Sequence, residues 1–187
     1  HSFKIKISDY KRVVGRADTA VRGEFLMAGS HFIALAPDAL PYEQALSWYK
    51  APRKPEDEYI TENSGERFSL EKLNELPISQ EVVDRGCDYY RDSRVRYLCL
   101  QGERGRAIVE GTRPYEVEFT YADGQVGSPV CDCYCSGICK HSFAVMLQLR
   151  ETLEAARKLE VRWEDAGYLA AVQKTAFFLY AVQGKSG

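Results

Sequence analysis

A chain of 187 residues has room for one ordinary domain, or one with a small companion. It is 45% hydrophobic and 28% charged, a globular balance that excludes wholesale disorder. Its 25 basic residues against 27 acidic ones leave a net charge of -2, which argues against a dedicated phosphate-binding surface spread over the whole molecule.

No apolar run approaches the roughly 18 residues of a membrane span. The opening His1-Ser2-Phe3-Lys4-Ile5-Lys6 is charged and alternating, unlike a secretion signal. The chain starts on His rather than Met, which reads as a processed or engineered start and as a piece of something longer. An intracellular, cytoplasmic location is expected, or a nuclear one if the source is eukaryotic.

In chain order, Phe3, Ile5 and Ile7 alternate with polar residues, the period of a half-buried strand. Two further strands are expected at 23–28 and 31–36, joined by a tight turn at Gly29-Ser30. Pro41 opens a short helix through Tyr49. These elements define a β-rich unit over 1–51, whose role the residues do not name. The polar, Pro-interrupted stretch 52–67 then reads as a linker.

Ser69 is placed to cap a short helix through Leu76, and Ser79 a second one from Gln80 to Arg91. Strands follow at 95–100, 106–110 and 115–121, punctuated by Gly102, Gly105, Gly111 and Asp123-Gly124. In the third, Tyr115, Val117, Phe119 and Tyr121 alternate with Glu116, Glu118 and Thr120, so a three-stranded antiparallel meander with one wet face is expected. A helix from Ser142 to about Glu160 carries Met146, Leu149, Leu153 and Ala156 as its apolar stripe. A last helix is expected from Trp163 to Gln183, with Leu169, Val172, Ala176 and Leu179 as its stripe. The two helices would pair as a hairpin. The fold class read from this order is α+β, with 68–160 as the central domain and 161–187 as a C-terminal helix.

Four of the six cysteines fall within Cys131–Cys139, and His141 follows two residues later. Cys87 and Cys99 stand apart in apolar or aromatic contexts and read as buried thiols. A dense Cys cluster joined by His, with no secretion signal, points to metal rather than disulfides. A structural zinc site needs four soft or borderline ligands in a tetrahedron. Residues i and i+2 of a strand share a face, so Cys131 and Cys133 can approach one ion together. Gly137 lets the chain reverse. Cys139 and His141 fall at a helix start, where free N–H groups favour thiolate over thiol. Other readings are four unliganded buried cysteines, an iron–sulfur cluster using Cys135 as a further sulfur, and a Cys–His hydrolase. Zinc suits the His and the strand–loop–helix order best, although Cys135 could replace Cys131 or Cys133.

Cys131-Asp132-Cys133, a short spacer, and Cys139-Lys140-His141 running into Phe143-Ala144-Val145-Met146-Leu147 resemble a SWIM-type zinc finger. Arg85-Gly86, Tyr89-Tyr90, Arg94-Val95, Gly111-Thr112 and Tyr115-Glu116-Val117 are similar to what such domains carry upstream. The resemblance covers about 80–155. The five-residue spacer 134–138 is short for the family, and Cys135 is an extra thiol. The resemblance implies a zinc-binding, non-catalytic recognition module of the kind found beside chromatin-remodelling-type helicases and in transposases. Its expected partner is nucleic acid, or else protein or another part of the same chain.

One local feature supports nucleic acid. Residues 94–113 carry Arg94, Arg96, Arg104, Arg106 and Arg113 against Glu103 and Glu110, a net +3 beside Tyr89, Tyr90 and Tyr97. Cations flanked by aromatics are what a phosphate-contacting surface needs, and Lys140 beside the metal is a further candidate. No Walker-type loop, nucleophile elbow or His-x-Glu deaminase signature is present, so no enzyme is expected within these residues.

Overall fold

The computed structural model describes residues 26–28, 31–35, 37, 40–50, 66–133, 135–174 and 176. The strand expected at Phe3–Ile7, the turn at Gly29-Ser30, most of the expected linker and residues 177–187 lie outside them.

The described chain is α+β. Its strands are β1 (Leu26–Ala28), β2 (His31–Ala34), β3 (Arg67–Ser69), β4 (Val95–Gln101), β5 (Arg104–Glu110), β6 (Pro114–Ala122), β7 (Gln125–Cys131) and β8 (Tyr168–Gln173). The helices are α1 (Tyr42–Ser47), α2 (Gln80–Arg91), α3 (Lys140–Lys158) and α4 (Trp163–Ala166), with a 3₁₀ segment at Leu70–Glu75. All eight strands join one sheet in the order β1-β2-β8-β4-β5-β6-β7-β3, and every neighbouring pair is antiparallel.

The meander from β4 to β7 follows the expected alternation. Val117 and Phe119 are buried on the face that α3 covers, while Glu118 and Thr120 are exposed. Helix α2 begins where its cap demanded, with Ser79 Oγ accepting from Val82 N at 3.3 Å. Helix α3 is buried on all sides from His141 to Met146, because it lies between the sheet and α2. Phe143, Met146 and Leu149 each contribute about 1.5–3 kcal/mol by leaving water.

Two finer expectations are corrected. Residues 168–173 form a strand rather than a helix. Tyr168, Ala170 and Val172 bury on the α1 side and Leu169 on the α3 side, so the segment shows no polar face. A strand covered on both faces reads as a continuous apolar run, and its three-residue spacings imitate a helical stripe. The second correction concerns the β-rich N-terminal unit. Its described strand β2 pairs with β8, Phe32 opposite Val172, and β8 pairs with β4. The described part of 1–51 therefore belongs to the same sheet as the rest.

The α1 side has its own core of Phe32, Leu40, Tyr42, Ala45, Tyr97, Cys99, Ile108 and Tyr168. Tyr97 and Tyr168 both donate to the Leu40 carbonyl, at 2.5 and 2.6 Å, and so fasten the entry to α1.

Candidate metal centre

A bulge aims the first pair of ligands. In the β6–β7 ladder, Glu118 faces Val130 and Thr120 faces Gly127, so Phe119 alone opposes Ser128 and Pro129. Ser128 takes φ 48°, the left-handed region, and Pro129 sits where no ladder N–H is needed. Strict alternation would put Val126 and Cys131 on opposite faces, because they are five residues apart. The inserted residue reverses the parity, and both bury in the α3-side core.

The second pair comes from the start of α3. Cys139 is its N-cap, and Sγ accepts from Ser142 N at 3.4 Å. His141 follows, with 3% of its surface exposed. Gly137, at φ 73°, allows the chain reversal between the two pairs.

The ligand atoms of Cys131, Cys133, Cys139 and His141 all lie within 4.8 Å of one another. His141 Nδ1 is 3.6 Å from Cys131 Sγ and 3.8 Å from Cys139 Sγ. These four residues could hold a metal ion. Cys135 is exposed and stands outside the group. Cys99 is buried, as expected, and Cys87 is half-buried against the core.

Charge within the cluster gathers at the helix start. A hydrogen bond from Cys131, then those from His141 and Ser142, hold the Cys139 thiol down at about 3 against the cost of burial. Its hydrogen bond to Cys139, followed by burial, pushes Cys131 well above the ordinary thiol value. Burial above all raises Cys133 to about 11. The free N–H groups at the helix start favour the thiolate form at Cys139.

Aromatic rings enclose the imidazole. Tyr115 stacks on His141 at 4.0 Å between ring centroids and 20° between planes, and Tyr89 meets it edge-on at 5.2 Å and 73°. Asp132, between two of the cysteines, faces the other way. Its carboxylate accepts from Glu116 N at 2.9 Å and from Lys50 Nζ at 3.2 Å, and its carbonyl accepts from Arg113 at 2.6 Å. Lys50 also pairs with Glu116, which accepts from Tyr42 Oη at 2.8 Å. The cysteine loop is thereby fastened to the segment that carries α1.

The basic residues expected on one surface are divided. Arg96 pairs with Glu110 at 2.6 Å and donates to Gln173. Arg104 pairs with Glu118 at 2.7 Å. Arg106 pairs with Glu43 at 2.9 Å and lies 4.4 Å over the Tyr42 ring. Tyr97, a candidate base-stacking residue, is fully buried. Arg94 and Lys140 gather near the Cys/His cluster, 5.1 and 5.4 Å from the Tyr89 ring centre, and Arg113 lies 4.4 Å over Tyr115; Arg94 also pairs with Asp92 at 3.8 Å and Arg113 with Asp132 at 3.5 Å. Arg113 was visible in the sequence as one of five arginines, but nothing local set it apart. Its place follows from the β5–β6 turn. Among the described residues no helix is long and apolar enough to cross a membrane. Compared with protein-family models, with curated proteins and with solved structures, the chain finds no match in any of the three.

Proposed function

We propose that Cys131, Cys133, Cys139 and His141 hold one structural zinc ion, and that the ion staples a non-catalytic, SWIM-like recognition module that contacts nucleic acid within a helicase- or remodeller-associated protein. The convergence of four soft ligand atoms within 4.8 Å carries this reading. A tetrahedral zinc with Zn–S near 2.3 Å sets ligand–ligand edges of about 3.5–3.8 Å. The two imidazole–sulfur distances, 3.6 and 3.8 Å, suit those edges. Three thiolates and an imidazole disfavour hard cations such as calcium and magnesium. An iron–sulfur cluster suits the site less well, because His141 is a member of the group and Cys135 is not. Four protein ligands fill a zinc coordination sphere, which supports a structural role.

The nucleic-acid part rests on Arg94, Lys140 and Arg113, grouped over Tyr89 and Tyr115 beside the metal. Cations backed by aromatic rings suit phosphate and base contacts. A second reading, a protein-binding or intramolecular regulatory module, is favoured by one observation. Arg96, Arg104 and Arg106 are each matched by a glutamate.

Elemental analysis should find one zinc per chain, lost in Cys139→Ala and kept in Cys135→Ser. An absorbance scan free of charge-transfer bands would exclude iron. A salt titration against single- and double-stranded DNA then separates the two partners. Charge reversal at Arg94, Arg113 and Lys140 should abolish a steep salt dependence, while Arg104→Glu leaves it. Absence of binding at low salt removes the nucleic-acid reading and leaves the protein one.

A further inference from the structure

Outside the four ligands, the least explained polar atom near the centre is His141 Nε2. It is buried and has no hydrogen-bond partner. A histidine that ligates metal usually donates its second N–H to a carboxylate or carbonyl, which fixes both tautomer and ring orientation. Here Nδ1 faces the sulfurs, so Nε2 is the remaining nitrogen, and among the described residues no such acceptor meets it.

What surrounds the ring instead is aromatic. Tyr115 covers one face at stacking distance, and Tyr89 closes from the edge. Each tyrosine is itself braced. Thr112 Oγ1 meets Tyr115 Oη at 2.9 Å, and Arg113 lies over the Tyr115 ring while bonding the Asp132 carbonyl between two cysteine ligands. Arg94 and Lys140 lie over Tyr89. The two rings close only because residue 111 is glycine. A Cβ there would stand 2.8 Å from Tyr115 Cε2 and 3.0 Å from Tyr89 Oη.

We propose that Tyr89 and Tyr115 are positioning residues for the metal centre, gripping His141 by its ring surfaces in place of the usual outer hydrogen bond, and that Gly111 is the space that lets them close. This rests on the zinc reading. The grip is steric and dispersive. It holds the imidazole plane so that the Nδ1 lone pair points at the ion, and it keeps Nε2–H dry. Among the described residues no hydrogen-bond acceptor meets Nε2.

The test is zinc affinity of the full chain, by competition with a chromophoric chelator, read beside the ligand-field spectrum of the cobalt-loaded protein. Tyr115→Leu keeps apolar bulk but loses the stacked face. It should weaken zinc about 10- to 100-fold, the range for losing an outer partner, and alter the cobalt bands. Tyr115→Phe keeps the stacked face but loses the Thr112 contact, and should recover most of the affinity and the wild-type cobalt bands. Gly111→Ala should weaken zinc in the same direction as Tyr115→Leu.

Tyr121→Leu is the control. It removes an aromatic from the same face of β6, packed on Trp163 at 6.4 Å, and should leave affinity and spectrum unchanged. In the wild type the Nε2 proton should exchange slowly with water, and in Tyr115→Leu quickly. Should Tyr115→Leu not fold, Tyr89→Leu carries the same expectation. Wild-type affinity in the Leu variants, or an equal loss in Tyr121→Leu, overturns the proposal while zinc binding stands. A wild type that binds no zinc overturns the zinc reading and this one together.

Discussion

Gly86→Ala is a substitution whose sign depends on packing. Gly86 lies inside α2, where alanine is favoured over glycine by about 1 kcal/mol. On propensity alone the change stabilises. The space is already occupied, however. A Cβ would stand 2.6 Å from Phe143 Cδ1, 3.0 Å from Phe143 Cβ and 3.2 Å from the Lys140 carbonyl oxygen. The ring can turn, but the other two atoms belong to the first turn of α3 and move only with its backbone. That turn carries His141. Overpacking of a buried contact costs about 1–3 kcal/mol. The net expectation is a loss of up to about 2 kcal/mol, or as much as roughly 4–8 °C in melting temperature for a chain of this size.

Denaturant and thermal melts of the metal-saturated protein measure this, and zinc affinity should fall in parallel. Combining Gly86→Ala with Phe143→Leu should recover part of the loss, with a coupling of about 1 kcal/mol. A more stable Gly86→Ala protein would refute the reasoning, because it would mean that α2 and α3 do not meet this closely.

Deleting Ser128 should restore strict alternation in β7, turn Cys131 to the other face and abolish stoichiometric zinc by elemental analysis. Ser128→Gly, which keeps the count and suits positive φ, should retain it. Arg106→Ala should lower stability by about 1 kcal/mol through its ring contact with Tyr42 and its pair with Glu43, with zinc content unchanged. His31 supplies a pH dependence. Burial, only partly offset by the bond to the Val95 carbonyl, holds it below the ordinary 6.5. The unfolded chain therefore takes up a proton that the folded one refuses. Its stability contribution is full above pH 6.5 and declines as pH falls towards the folded value, by at most about 1.4 kcal/mol per unit. Denaturant melts across that window should slope less in His31→Gln than in the wild type.

The Cys/His cluster was legible in the sequence because its four members lie within eleven residues, and convergence on one point constrains spacing directly. The Ser79 cap and the meander strands were legible for a similar reason, since Ser79 and the Tyr115–Tyr121 alternation act locally, whereas Ser69 makes no side-chain cap bond and precedes a 3₁₀ segment. What stayed hidden depends on register between distant strands. The arginines of 94–113 look like a basic surface until β5 is set beside β6, which places Glu118 near Arg104, and until α1 delivers Glu43 to Arg106. Residues 168–173 were misread because apolar spacing cannot separate a strand covered on both faces from a helix. The parity reversal at Ser128 leaves no mark beyond a Ser-Pro pair. The four residues converge as their spacing suggested, but the bulge that aims two of them was not visible.

The insertion of β8 between β2 and β4 bears on how the molecule is made. As the chain leaves the ribosome, β2 and the meander are complete long before Tyr168–Gln173 arrives, so each holds an unsatisfied backbone edge open in the meantime. On the meander that edge is β4, where Tyr97, Leu98, Cys99 and Leu100 are all destined for burial. A fragment stopping after α3 would keep all four members of the Cys/His cluster yet leave this seam bare and prone to self-association. Expression trials of the central region should therefore extend through residue 173 and supply the β2 segment, in the same chain or as a separate piece.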